Sequence, residues 1–324
     1  MPRELTYRDA LNEALHEEMA RDASVFVMGE DVGQHGGPMQ VCKGLWAQYG
    51  DWRVRDTPIS EAGFVGLGVG SALTGLRPVI EVMYIDFSAL AMDQIVNQAA
   101  KARYMFGGKA RVPMVVRVQG GGGRGNAAQH SQSLEMWFVH VPGLVVVQPS
   151  MPADAKGLLK SAIRDENPVV FIEHKLLYNT RQLVPDGEYT IPLGVADIKR
   201  AGKDVTVVAH SRMVLFALGA AEKLAAEGID AEVIDPRTLK PLDLDTIVNS
   251  IKKTHRAVVV SEGVRTGGFA SEVAARLQEE AFDWLDGPVA RITTEDVPIP
   301  YNERLELEAI PTEADIVRAV REML

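Results

Sequence analysis

Short runs rich in valine and isoleucine recur along the chain, and segments of helical period fill the gaps between them. Tyr7, Ala10, Leu11, Ala14 and Leu15 stand at helical spacing, with Thr6 as N-cap and Asp9 three residues on, an approximate capping box. A strand is predicted at 24–28, followed by polar, glycine-rich sequence to about Trp52. Strands are then predicted at 53–55, 78–83, 113–118, 144–147 and 168–173, alternating with helices at 61–74, 89–105, 134–139 and 153–164. Apolar strands separated by helices imply a largely parallel sheet covered on both faces.

Residues 174–203 break this rhythm with Pro185, Gly187, Pro192 and Gly202. A second alternation follows, with strands at 205–209, 231–234, 257–260 and 289–293 and helices at 213–227, 244–254, 268–282 and 313–323. The expected fold is α/β with two doubly wound domains, 1–180 and 181–324. The length of 324 residues agrees with two domains at about 150 residues each.

Acidic residues outnumber basic ones, 44 to 34, and the net charge of −10 argues against a nucleic-acid partner, which requires surplus cations. The single cysteine, Cys42, rules out an internal disulfide and a multi-cysteine zinc site. The charged start has no apolar leader core, and no stretch suits a membrane span. A soluble, cytoplasmic protein is expected.

Three segments carry candidate chemistry. In Thr57-Pro58-Ile59-Ser60-Glu61-Ala62-Gly63, Ser60 can cap a helix and Glu61 lies in its first turn, where an acid complements the helix dipole. That helix continues through Gly66, Gly68 and Gly70, each costing about 1 kcal/mol. Something must press closely on it, and a carboxylate beside bare backbone is what a flat heteroaromatic ligand needs. The run Gly120-Gly121-Gly122-Gly123-Arg124-Gly125 matches G-x-G-x-x-G, but the next strand ends Val147-Gln148-Pro149 without the acid a dinucleotide requires. It reads better as a loop beside an active site that delivers His130, either a group exchanging protons near neutral pH or a structural histidine bonding backbone. Phe87 lies between a strand and a helix capped by Ser88, either in the core or as a wall at a strand's carboxyl end. These features do not name a reaction.

Gly29-Glu30-Asp31-Val32-Gly33, the Asp56–Gly63 segment, Asp93-Gln94, Gln129-His130-Ser131-Gln132 and the run 162–170 together resemble one family. It is the beta subunit of the thiamine-diphosphate-dependent decarboxylating component of 2-oxo acid dehydrogenase complexes, of the pyruvate dehydrogenase kind. The resemblance extends over nearly the whole chain, including Asp235-Pro236-Arg237-Thr238-Leu239 and Asp296-Val297-Pro298-Ile299-Pro300-Tyr301. It implies a pyrimidine-binding domain, a transketolase C-terminal-like domain and an α2β2 heterotetramer sharing thiamine diphosphate between subunits. The magnesium and diphosphate motif begins Gly-Asp-Gly and belongs to the alpha subunit, and this chain has no such tripeptide.

By the same resemblance, Glu61 would bond the aminopyrimidine and favour the imino tautomer that deprotonates the thiazolium carbon. Phe87, Ile59, Met83 and Glu30 would surround that ring. His130 would assist transfer of the acyl group to a lipoyl arm. Met114, Ala162, Ile163, Asp165 and Asn167 resemble a potassium site. Glu303, Glu306, Glu308 and Glu313 would face a basic binding domain of the dihydrolipoyl acyltransferase core. The substrate would be a small 2-oxo acid, pyruvate first, with acetoin or a branched-chain 2-oxo acid as alternatives. A non-catalytic assembly subunit and a dinucleotide binder using the glycine run are the readings from other classes.

Overall fold

The computed structural model describes residues 2–324, which form two units. The first comprises the chain through Gly120 together with Trp137–Leu193, and the second comprises Gly121–Met136 and Gly194–Leu324.

Six parallel strands of the first unit run in the order Val145–Val147, Val169–His174, Val115–Gly120, Arg77–Val82, Val25–Gly29, Val54–Asp56. The Val25–Gly29, Val115–Gly120 and Val169–His174 strands are buried throughout, as expected of a sheet with helices on both faces. Thr6 caps the first helix, Tyr7–Arg21, its hydroxyl accepting the Asp9 amide at 3.0 Å. That helix packs on Pro152–Arg164, where the buried Lys156 and Lys160 each donate to Glu17 at 2.6 Å.

The expected single helix at 89–105 is three pieces: a 3-10 turn at Ile85–Ala91, a π-helix at Asp93–Ala99 and an α-helix at Ala100–Met105. Apolar spacing distinguishes these windings poorly. Ser88 donates back to the Ile85 carbonyl at 2.5 Å instead of capping a helix.

The second unit has a five-stranded sheet ordered Ala290–Thr294, Ala257–Val264, Val205–Ala209, Ala231–Asp235, Asp197–Arg200, of which only the last is antiparallel. Its helices include Met213–Ala225, Leu244–Thr254, Phe269–Glu280, Glu303–Ala309 and Glu313–Met323. Asp243 caps Leu244–Thr254, and Thr312 with Asp315 forms a capping box.

The division of the chain differs from 1–180 and 181–324 in two places. Arg181–Val184 pairs antiparallel with Arg3–Thr6, and Ser161 donates to the Ile191 carbonyl at 2.6 Å, so the chain to Leu193 stays with the first unit. The glycine loop and His130 belong to the second, because the loop amides bond to carboxylates there, as described below.

Candidate active site

Parallel pairing places Val54–Asp56, Val25–Gly29 and Arg77–Val82 side by side, with Gly29 opposite both Asp56 and Glu81. Their carboxyl ends therefore lie together, where α/β sheets take ligands. Glu30 follows the central strand directly. Ile59 and Glu61 follow one neighbour, Glu61 opening the Glu61–Leu73 helix. Met83 and Phe87 follow the other, Phe87 within the Ile85–Ala91 turn. The turn before Glu61 is held by Thr57, whose amide donates to the Gly29 carbonyl at 3.0 Å, and by Asp56, which accepts the Gly33 amide at 2.6 Å.

Glu30 and Glu61 are both buried, and among the described residues neither pairs with a cation. Burial, then the charge of Glu61, then that of Asp31, push the Glu30 carboxyl above its ordinary pKa. Glu30 Oε1 is buried without a hydrogen-bond partner, as are Thr57 Oγ1 and Gln94 Oε1. Orphaned buried polar atoms are uncommon, and three in one region suit a polar ligand. Sequence reading passed over Thr57 and Gln94 as individual residues, although both stand inside the motifs quoted above. Gln94 lies on the π-helical turn, a winding frequent at functional sites. Its Cγ would lie 3.4 Å from a Cβ placed at Gly66, so it packs on the helix that carries Glu61.

One local expectation needs correction. Ser60 occupies the N-cap position, but its hydroxyl donates to the Pro58 carbonyl at 3.2 Å and caps nothing. Ile59, expected against a ring, is 83% exposed in this chain. Met83 and Phe87 are half-buried.

His130 lies in the second unit, at the end of a 3-10 turn Ala128–His130, and is partly buried. A cavity of about 680 Å³ adjoins this loop, lined by Gln129, Ser131, Gln132, Glu262, Val264 and Val297 among others. The Ser131 hydroxyl is buried without a partner. Glu135 lies just beyond and is buried, its carboxyl pushed up to about 7 by burial and by Glu262, against the help of its own amide and Ser261.

The glycine run is not a dinucleotide site. Its amides at Gly122, Gly123 and Gly125 are donated to Glu262 and Glu306 of the same unit. Glu306 is accordingly buried and does not belong to the expected acidic surface, while Glu303 and Glu308 are exposed, Glu308 pairing with Arg304 at 3.2 Å, and Glu313 pairs with Lys223 at 2.6 Å.

Of the expected potassium ligands, the Ile163 and Asp165 carbonyls converge on Arg77 Nη1, each at 3.0 Å. The Met114 carbonyl accepts the Val169 amide at 2.9 Å, and the Asn167 side chain accepts from Arg103 at 2.8 Å. Among the described residues, no group of three or more His, Cys, Asp or Glu is placed to hold a metal.

Comparison with known proteins decides the family. The transketolase pyrimidine-binding domain matches residues 3–181, and the transketolase C-terminal domain matches 194–316. A mitochondrial pyruvate dehydrogenase E1 component subunit beta-1 of Arabidopsis thaliana is 52% identical over 98% of this chain and 88% of its own. The chain belongs to the family of pyruvate dehydrogenase E1 beta subunits. The mitochondrial pyruvate dehydrogenase E1 component subunit beta of Dictyostelium discoideum is 50% identical over 98% of this chain and 91% of its own, and the pyruvate dehydrogenase E1 component subunit beta of Rhizobium meliloti is 48% identical over 98% and 69%. Among solved structures, a split-gene transketolase in its inactive β4 tetramer is 25% identical with a TM-score of 0.80, over 99% of this chain and 98% of its own. The family is thiamine-diphosphate-dependent, and its two-domain α/β fold is the one expected.

The cytoplasmic expectation does not stand. The Arabidopsis, Dictyostelium and Caenorhabditis elegans relatives are mitochondrial. One buried thiol fits either reducing compartment, so composition could not separate them. No helix among the described residues is long and apolar enough to cross a membrane.

Proposed function

We propose that this chain supplies the pyrimidine half of a thiamine-diphosphate site in an acetyl-transferring 2-oxo acid dehydrogenase with pyruvate as substrate and a lipoyl disulfide as acceptor. The carrying observation is the meeting of Glu30, Glu61, Met83 and Phe87 at the carboxyl ends of three adjacent strands, with both acids buried and unpaired by cations. The cofactor supplies a nucleophilic carbon and a sink for the electrons released with carbon dioxide. Glu61 holds a proton at the aminopyrimidine ring and fixes its tautomer. Glu30, its carboxyl raised by burial and by the Glu61 charge, places a second acid at the same strand ends. Met83 and Phe87 wall the ring and exclude water.

The diphosphate and its magnesium belong to an alpha subunit in an α2β2 assembly. Ile59 and Leu67 support this reading: they are 83% and 64% exposed, beside and on the Glu61 helix. Large apolar groups left in water beside a binding site suit a partner surface. His130 orients or protonates the lipoyl sulfur during acyl transfer. Glu303 and Glu308 remain as exposed acids for a basic domain of the acyltransferase core. A potassium ion at 162–167 would share the Ile163 and Asp165 carbonyls with Arg77 through their second lone pairs. A rise in thermal midpoint with potassium over sodium checks it.

The test of the main reading is Glu61→Gln in the co-assembled enzyme. Turnover falls by about 10²–10⁴-fold, the range for loss of a general acid–base group, while circular dichroism and assembly are unchanged. Decarboxylation at the parental rate would remove Glu61 from the mechanism. Robust decarboxylation by the chain without its partner would remove the shared site.

A further inference from the structure

The amides of the glycine run form the kind of anion-binding concavity that loops offer to phosphate, and here the anions are side chains of the chain itself. Gly122 donates to Glu262 Oε1 at 2.6 Å, Gly123 to Glu306 Oε1 at 2.7 Å and Gly125 to Glu306 Oε2 at 2.8 Å. Glu306 thus uses both oxygens on amides two residues apart. It projects from Glu303–Ala309, a helix capped by Asn302, and is 1% exposed. The fit is steric too: a Cβ at Gly122 would lie 2.7 Å from Ile310 Cδ1 and 3.1 Å from Glu306 Oε1. Gly121 donates to the Gln132 carbonyl at 3.0 Å, closing the loop two residues beyond His130.

We propose that Glu306 is a positioning residue for acyl transfer. Its carboxylate fixes Gly123 and Gly125, with Glu262 as a second anchor on Gly122, and so sets the path of the segment that presents His130. Gly122 is required because a bulkier residue there would displace the carboxylate and Ile310. This deepens the role proposed for His130 and rests on it. Charge-assisted bonds from amide to carboxylate are the strong kind, and substitution by glutamine turns one acceptor oxygen into a donor facing a donor.

The experiment uses the assembled α2β2 enzyme with Glu306→Gln, Gly122→Ala and His130→Ala, each with two readouts. One is amide hydrogen exchange over 120–133. The other is the rate of lipoyl-domain acetylation divided by that of decarboxylation with an artificial electron acceptor. In Glu306→Gln, loop exchange rises about tenfold and the ratio falls about tenfold, as for loss of one such bond. Gly122→Ala gives the same pattern from the loop side. Unchanged loop exchange in both variants overturns the clamp. Raised exchange with an unchanged ratio, where His130→Ala does lower it, overturns the positioning role. A parallel fall of both rates with a lowered melting midpoint overturns it as well, marking a purely structural contact. If His130→Ala leaves the ratio unchanged, the role of His130 fails by itself, and a Glu306→Gln ratio that also holds overturns positioning while loop exchange still decides the clamp.

Discussion

The first unit buries two sets of carboxylates, one within its sheet and one at the ends of its strands, and they are treated in opposite ways. Glu81 and Glu173 lie within the sheet and enclose Arg117, which donates to Glu81 at 2.6 Å and to Glu173 at 2.7 and 2.8 Å. Tyr178 donates to Glu173 at 2.6 Å and Gln119 to Glu81 at 3.2 Å. Burial opposes the Arg117 charge, but Glu173 and Glu81 outweigh it and hold the guanidinium well above its ordinary pKa. Burial and Glu81 likewise push the Cys42 thiol up, so the single cysteine is a protonated core group. Glu30 and Glu61, at the strand ends, have each other and no cation. A fold that pairs one set so completely leaves the other unsatisfied at a cost, and such a cost marks a site reserved for a ligand.

Removing the cation breaks the comparison most severely. Arg117→Met strands two buried carboxylates and destabilises the first unit by about 3–5 kcal/mol, read from urea unfolding. Replacing Glu81 and Glu173 by glutamine in the same variant restores most of that loss. A single variant within 1 kcal/mol of the parent, by the ~0–1 kcal/mol standard of exposed pairs, would mean the triad is solvated and the contrast is false.

Glu135 is a third case, a buried acid whose charge is opposed by another acid, Glu262. Its folded pKa of about 7 stands above the ordinary carboxylate value, so the folded state keeps a proton that the unfolded chain has released. The stability this carboxyl provides is complete below the ordinary range and is lost as pH rises towards 7. Glu135→Gln stays neutral, so it exceeds the parent by about 3 kcal/mol at pH 8 and matches it near pH 4. Unfolding curves that keep a constant separation across this range contradict the assignment. Glu30→Gln shifts in the same direction by less, because its carboxyl is raised to a smaller degree.

The sheets and most helices were legible because valine runs of strand length and helical periodicity are local signals. Elements that exist only through tertiary pairing were not: Arg3–Thr6 and Arg181–Val184 are half-polar strands that make sense only against each other. Glu61 stood out because an acid followed by glycines is poor helix sequence. Glu30 emerged only through the family resemblance, since nothing near it says that it is buried. Glu306 was misread as surface because four acids in a short segment look alike until the partner amides, some 180 residues away, are known. The π-turn bearing Gln94 was hidden because its apolar spacing is that of an ordinary helix.

The glycines of the Glu61 helix divide by face, and this separates close packing within the chain from room left for a partner. A Cβ at Gly68 would lie 2.8 Å from Ile80 Cγ1, so the neighbouring strand is what presses there. Gly68→Ala overpacks that contact and costs about 1–3 kcal/mol, less the helix propensity gained. Gly70 has nothing within 4 Å, and its helix interior rewards alanine. In the chain alone, Gly70→Ala raises stability by about 0.5–1 kcal/mol. If the bare face exists for the alpha subunit, the same methyl group weakens assembly, measurable as a higher dissociation constant by sedimentation. Stabilisation in the chain with loss in the tetramer assigns that glycine to the interface. Stabilisation in both would leave its openness as an ordinary exposed helix face, and the partner surface would have to be sought around Ile59 instead.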